Sequence, residues 1–210
     1  MSKQVKTPVD MLAYEKLWQA RGAVLVAGID EAGRGPLAGP VVAACAVMNL
    51  DDVIEGVNDS KKLTEKKREA LYPLICEKAL AYSIVAVDEK RIDQINILNA
   101  TKEAMRGCLD KLGLKPDVIL IDAVNLDCDY RVHAIVKGDV LSYSIACASI
   151  LAKVYRDHLM LEYDRIYPQY GFAKHKGYGT AAHIAALREY GPSPIHRRTF
   201  IGHFVDVDEQ

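Results

Sequence analysis

The chain has 210 residues, 50% hydrophobic and 26% charged, which fits one large domain with a sizeable core and excludes a disordered protein. Its formal net charge of -1 provides no global attraction for polyanions, so any affinity for nucleic acid must come from a local field. Residues 1–10 hold no apolar signal core, and no uncharged run approaches the ~20 residues that cross a bilayer; the expected setting is the cytoplasm, with no membrane.

Positive charge is concentrated near the end. Between residues 171 and 204 stand Lys174, Lys176, Arg188, Arg197 and Arg198 against the single acid Glu189, and five of the six histidines lie beyond Asp157. The five cysteines (Cys45, Cys76, Cys108, Cys128, Cys147) are odd in number and lack a C-x-x-C spacing, so they read as free thiols serving as small hydrophobes.

Taken in order, Thr7-Pro8-Val9-Asp10 reads as a helix start, and Met11, Tyr14, Leu17 and Trp18 recur at helical spacing up to a stop at Gly22. Residues 24–29 form an apolar, β-branched run of the kind buried on both faces of a sheet. That run ends in Asp30 and Glu31. The turn Gly33-Arg34-Gly35-Pro36 and a second strand, Val41–Met48, follow as an antiparallel neighbour, since a parallel crossover needs a helix. A helix is expected over 65–78, bent at Pro73 where a backbone donor is missing. Residues 82–87 alternate as a third strand, Asp88 caps a short helix, and an amphipathic helix runs over 96–112 to a stop at Gly113. A fourth strand, 118–121, again terminates in a carboxylate, Asp122. A fifth, 130–136, leads to Lys137-Gly138-Asp139 and a long helix over 142–166 with an almost wholly apolar first half. A loop over 170–180, a helix over 181–190 and a Gly/Pro-rich tail complete the chain.

Carboxylates at the ends of core strands are costly unless a cation or hydrogen bonds compensate them. If strands one and four are parallel neighbours, Asp30 and Asp122 meet at the carboxyl edge of the sheet. Adjacent residues of an ideal strand point to opposite faces, so the backbone is expected to turn at Glu31 to bring its carboxylate beside that of Asp30, as Gly33 permits. The glycines at 33 and 35 are neither a dinucleotide fingerprint nor a Walker loop; they allow close backbone approach to a ligand, and Arg34 offers a bidentate grip on phosphate.

Seven motifs then stand in order: GIDEAGRGPLAGPVV from Gly28, DSKKLT from Asp59, IDA at 121–123, KGD at 137–139, ASILAKVYRD at 148–157, HKGYGT at 175–180 and SPIHRRTF from Ser193. With them the chain resembles the bacterial ribonuclease HII family, the type 2 ribonucleases H, over nearly its whole length. The resemblance implies a ribonuclease H-like α/β fold: a five-stranded mixed sheet of order 3-2-1-4-5, the first three strands antiparallel, flanked by helices. One catalytic domain would cover 1–210, with its core at about 23–165 and a small C-terminal loop and helix segment beyond. It implies an endonuclease that hydrolyses the RNA strand of RNA–DNA hybrids and nicks 5′ of single ribonucleotides in duplex DNA, with two Mg2+ or Mn2+ ions held by Asp30, Glu31, Asp122 and Asp139. It also implies that Gly33, Arg34 and Gly35 meet the 2′-hydroxyl of the ribonucleotide and that Tyr178 stacks on the sugar at the RNA–DNA junction.

The residues support that chemistry independently, because hard divalent cations prefer oxygen ligands and relieve the charge on a scissile phosphate. Ser60, Lys61, Lys153, Arg156, Lys174 and Lys176 are the expected phosphate contacts, which fix register without reading sequence. Asp157 reads as a structural ion-pair partner rather than a fifth metal ligand. His175 is open between proton transfer and lining the groove. No protein partner is demanded, and a monomer is expected. Two other readings remain at this stage: another nuclease of the same fold, such as a 3′-exonuclease or junction resolvase, and a nucleic-acid-binding module without catalysis.

Overall fold

The computed structural model describes residues 10–122 and 124–206; the expected helix start at Thr7-Pro8-Val9 and Ala123 of the IDA motif lie outside them. Five strands form one sheet in the order β3-β2-β1-β4-β5, with β1 Val26–Ala32, β2 Val41–Met48, β3 Ala79–Val87, β4 Val118–Asp122 and β5 Val132–Ile135. β1 pairs antiparallel with β2, as does β2 with β3, whereas β1–β4 and β4–β5 are parallel. The expected sheet order and strand directions are those found.

Side-chain alternation divides the core between the two faces of this sheet. Ala27, Ile29, Ala43, Cys45, Ile119 and Ile121 pack against Ala100, Ala104, Met105 and Cys108 of helix α3 (Glu89–Lys111). The alternate residues Val42, Ala44 and Ala46 pack against Ala146, Cys147, Ile150 and Val154 of α5 (Tyr143–Ile166) and against Leu71 and Ile75 of α2 (Glu65–Lys78). Each fully buried aliphatic side chain contributes about 1.5–3 kcal/mol. Gly28 is where β1 and α5 press backbone to backbone: a Cβ there would fall 2.1 Å from the Ser144 carbonyl carbon.

Local sequence sets the helix ends. Thr64, Asp88, Ser142 and Thr180 each accept a backbone N–H of the following turn, opening α2, α3, α5 and α7 (Ala181–Tyr190). Pro73 is accommodated inside α2. The two helices expected on either side of residue 96 meet within α3, where Asn96 leaves helical geometry (φ 64°, ψ 164°) and its side chain caps the second stretch through the Asn99 N–H at 3.1 Å. In α1 (Ala13–Gln19), buried Glu15 accepts from the Ser142 hydroxyl at 2.6 Å and the Ser144 N–H at 2.9 Å, anchoring α1 at the start of α5. No helix among the described residues is long and apolar enough to cross a membrane.

Among the described residues three short α-helices and a 3-10 turn at Pro168–Tyr170 were not expected. α4 (Gly138–Leu141) follows β5, α6 (Phe172–His175) lies inside the 170–180 loop between Gly171 and Lys176, both left-handed, and α8 (Arg198–Ile201) lies in the tail. The C-terminal segments return to the turn after β1. Leu37 N–H donates to the Gly177 carbonyl (2.8 Å), Gly39 N–H to Ile195 (2.8 Å) and Arg197 N–H to Leu37 (2.9 Å), and Ala38 bridges to His196.

Candidate active site

Asp30 and Asp122 occupy the position just beyond the last paired residues of the parallel strands, Ile29 and Ile121, and alternation places both toward α5. The expected turn at Glu31 does not occur. Glu31 still pairs with Ala43, and β1 continues to Ala32, because the antiparallel partner β2 holds it in register. Asp139 arrives on α4. The left-handed Lys137 (φ 61°) redirects the chain, and the Gly138 N–H donates to Asp122 Oδ1 at 2.9 Å, tying the start of α4 to the end of β4.

Burial drives the Asp30 carboxyl well above the usual carboxylate range, and the neighbouring charges of Glu31 and Asp122 push it the same way against a hydrogen bond from Ser149. Burial also raises Glu31, opposed by the Arg34 guanidinium 3.3 Å from its Oε1. Burial pulls the Lys61 ammonium down, but Asp139 at 3.2 Å, with Asp30 and Asp59, outweighs it and holds the lysine above its ordinary value.

These acids fit a divalent cation. Glu31 Oε2 is buried with no hydrogen-bond partner, and Asp30, Glu31 and Asp122 repel one another, with Lys61 and Arg34 as nearby counter-charges among the described residues. Among the described residues no three ligating side chains are already closed on one point, so binding requires the carboxylates to draw inward.

Beside the acids is a cavity of about 240 Å³ lined by Glu31, Gly33, Arg34, Gly35, Ser60, Lys61, Lys153 and Tyr178. A larger hollow of about 320 Å³, next to Arg106 and the 127–130 loop, contains none of these groups. The Tyr178 ring is 46% exposed, and a Cβ on Gly35 would stand 3.7 Å from its Cε1, so the phenol lies alongside the glycine turn. Ser60 Oγ is 2.7 Å from Ser149 Oγ, docking the Asp59-Ser60-Lys61 segment on α5. Arg68 fixes the same segment through the carbonyls of Ser60 (2.9 Å) and Leu63 (2.6 Å).

The expected phosphate contacts divide. Lys61 and Lys153 reach the cavity and Lys174 is exposed. Arg156 is not presented to the groove: it is 1% exposed and donates to the carbonyls of Pro40 (2.9 Å), Lys176 (2.9 Å) and Ala38 (3.0 Å). The Lys176 ammonium turns back onto the Ala173 carbonyl at 2.5 Å. Asp157 bonds Lys153 at 2.5 Å and faces Arg68 at 3.9 Å, as a structural ion-pair partner does. His175 is committed to the loop, between the Tyr170 carbonyl (2.9 Å) and the Gly177 N–H (3.3 Å).

Arg197 is the residue that sequence reasoning missed. Fully buried, it donates to the carbonyls of Gly33 (2.6 Å), Gly39 (2.9 Å) and Arg34 (3.0 Å). Burial lowers its pKa to about 9 and that of Arg156 to about 10, so both stay cationic at neutral pH. Arg197 holds the carbonyls of Gly33 and Arg34, and Arg156 those of Ala38 and Pro40 just beyond the turn. The only signal in the sequence is the place of Arg197 within SPIHRRTF.

A 3-2-1-4-5 sheet with acids gathered at the ends of β1 and β4 is a ribonuclease H-like architecture. The crystal structure of ribonuclease H2 from Pyrococcus horikoshii OT3 matches it with a TM-score of 0.72 and 31% identity, covering 84% of this chain and 93% of that one. The family model described as Ribonuclease HII matches residues 27–203. Ribonuclease HII of Acetivibrio thermocellus is 54% identical over 204 residues, 97% of this chain and 80% of that protein; the Ruminiclostridium cellulolyticum protein of the same name is 57% identical over 197 residues, 93% and 77%. The chain belongs to the ribonuclease HII family and is a ribonuclease H, a hydrolase that acts as an endonuclease.

Proposed function

We propose that this enzyme nicks the RNA strand of RNA–DNA hybrids and cuts 5′ of single ribonucleotides embedded in duplex DNA, leaving 5′-phosphate and 3′-hydroxyl ends. The observation that supports this reading is the adjacency of Glu31, the Gly33-Arg34-Gly35 turn and Tyr178 around one cavity, as a cleaving centre beside a reader of the sugar requires. The 2′-hydroxyl is the group that separates RNA from DNA at one position. With their carbonyls held by Arg197, the backbone of Gly33 and Arg34 is rigid where the hydroxyl would dock, and the phenol face of Tyr178 is free to stack on the sugar.

Asp30, Glu31, Asp122 and Asp139 would hold two divalent ions, magnesium or manganese. When bound, these supply the positive charge that activates water and offsets charge on the leaving 3′-oxygen. Lys61 and Lys153 orient the flanking phosphates, and Lys174 extends the basic surface along the duplex. The protein works as a monomer in the cytoplasm, in the removal of ribonucleotides and RNA primers from DNA.

The test is a duplex carrying one ribonucleotide, incubated with and without magnesium or manganese. Expected is a single metal-dependent nick on the 5′ side of the ribonucleotide with no cleavage of the all-DNA control. Cleavage of the control, or digestion from the ends, would assign another nuclease activity. Tight binding without any cut would leave a binding module.

A further inference from the structure

Behind Tyr178 lies a cluster of buried polar side chains that the chemistry above does not use. His183 and His196 are 0% and 1% exposed, and their Nε2 atoms are 3.0 Å apart. His183 Nδ1 lies 2.9 Å from the Tyr178 carbonyl oxygen, which only accepts, so this nitrogen carries the proton. His183 Nε2 is then bare and accepts, which makes His196 Nε2 the donor. His196 Nδ1 is bare in turn, accepting from the Ser193 N–H at 2.9 Å with the Ser193 hydroxyl at 2.8 Å. The surroundings therefore select one tautomer for each ring, both neutral.

We propose that His183 and His196 are positioning residues for substrate recognition: as a neutral pair of fixed polarity they hold the Tyr178 backbone, and with it the ring beside Gly35. The inference rests on the reading of Tyr178 as the residue that stacks on the ribonucleotide sugar. The pair joins two segments that meet at the cavity. Tyr178 is at one end. At the other, Ile195 accepts from Gly39 and Arg197 grips Gly33 and Arg34, so the tyrosine and the glycine turn share one support.

The polarity makes this support specific to the neutral state. A proton added to His183 puts hydrogens on both facing Nε2 atoms and breaks their bond, and one added to His196 goes on Nδ1 and opposes the Ser193 N–H donor. The titratable and charged groups facing the pair are His175, stacked on His183 with ring centroids 4.4 Å apart, Tyr170, 5.0 Å from the His196 ring, and Arg198; none is a carboxylate that would welcome a proton. Burial holds both histidines below their ordinary value, His196 at about 3.

Ring nitrogen NMR on the intact, unmodified protein tests the pair without reference to activity. His183 is expected as the Nδ1–H tautomer and His196 as Nε2–H, with both spectra unchanged between pH 8 and about 5, below the ordinary histidine pKa. Titration of either ring near 6.5, or a proton on Nε2 of His183, overturns the assignment. Kinetics then test the positioning. His183→Phe fills the site but removes the donor, whereas the amide of His183→Asn can still donate to the Tyr178 carbonyl. For a single-ribonucleotide duplex, His183→Phe should raise KM about tenfold with kcat kept within about threefold, and His183→Asn should recover most of that loss. In a Tyr178→Ala background His183→Phe should add less than about twofold. Equal losses for Phe and Asn, or an undiminished effect without the tyrosine ring, would sink the proposal. Parental cleavage by Tyr178→Ala alone would instead refute the stacking role, a failure the tautomer measurement tells apart from failure of the pair itself.

Discussion

Arg197 and Gly33 are 164 positions apart in sequence and joined by a 2.6 Å hydrogen bond from Nη2 to the glycine carbonyl. The same guanidinium spans Arg34 and Gly39, which a single ammonium cannot do. Arg197→Lys should therefore cost roughly 3 kcal/mol in urea unfolding, since a charged hydrogen bond contributes about 1.5–3 kcal/mol and more than one is lost. KM for ribonucleotide-containing duplex should rise with it. A lysine variant within about 0.5 kcal/mol of the parent would show that the fork is dispensable.

Asp30→Asn and Asp122→Asn should each lower cleavage by more than about a hundredfold, beyond the loss typical of outer-shell changes. Without metal, both variants should melt at or above the parent temperature, because like charges have been removed from a buried cluster. Magnesium or manganese should raise the melting temperature of the parent and raise that of the variants less. An Asp122→Asn enzyme cutting within a few-fold of the parent would dismantle the four-acid site.

Tyr178→Ala should lose most cleavage at a single embedded ribonucleotide, whereas Tyr178→Phe should keep appreciably more because the exposed ring face survives. Comparing both variants on single-ribonucleotide and all-RNA strands decides the matter. Small, equal losses on both substrates would remove the ring from recognition.

Salt should weaken binding to hybrid duplex with a slope set by a few phosphate contacts. Lys174 is exposed and free to contribute, so Lys174→Ala should reduce that slope by close to one. Lys176 bonds the Ala173 carbonyl, and its alanine variant should act on loop order and leave the slope unchanged. Anisotropy titrations at several salt concentrations separate the two; equal slope changes would contradict these assignments.

Acid should act through the buried histidines. Their folded pKa values lie below the ordinary value, so the unfolded chain takes up protons first. Their contribution to stability is complete above about pH 6.5 and falls as pH drops below it, for His196 down to about pH 3, by at most about 1.4 kcal/mol per pH unit for each ring. Urea unfolding between pH 7.5 and 4.5 should show a shallower decline in His196→Phe than in the parent. Parallel curves would mean that His196 is protonated in the folded state.

The sheet was legible because both its faces are buried. Runs such as residues 26–29 and 118–121 had to be continuously apolar, and the charge at their ends stood out against them, whereas Val24, read into the first run, lies outside β1 and is exposed. Asp30 and Asp122 could thus be placed by counting along parallel strands. Glu31 was misjudged because the need to bring its carboxylate beside that of Asp30 was weighed without the pairing of β2, which carries the strand past it. Arg156 and Arg197 were illegible for another reason: basic side chains are ordinarily exposed, and these are buried only because carbonyls from distant segments surround them. The unusual backbone at Lys137, which delivers Asp139, likewise depends on contact with Asp122 and leaves no local mark.

The dependence of the glycine turn on Arg197 has a consequence for how the enzyme comes into being. A nascent chain that has left the ribosome only as far as Tyr190 already contains the sheet, the long helix and all four acids, yet lacks the guanidinium that sets the turn. The acids thus precede in synthesis the side chain that fixes the carbonyls of Gly33 and Arg34, and a product interrupted before Arg197 would keep the first without the second.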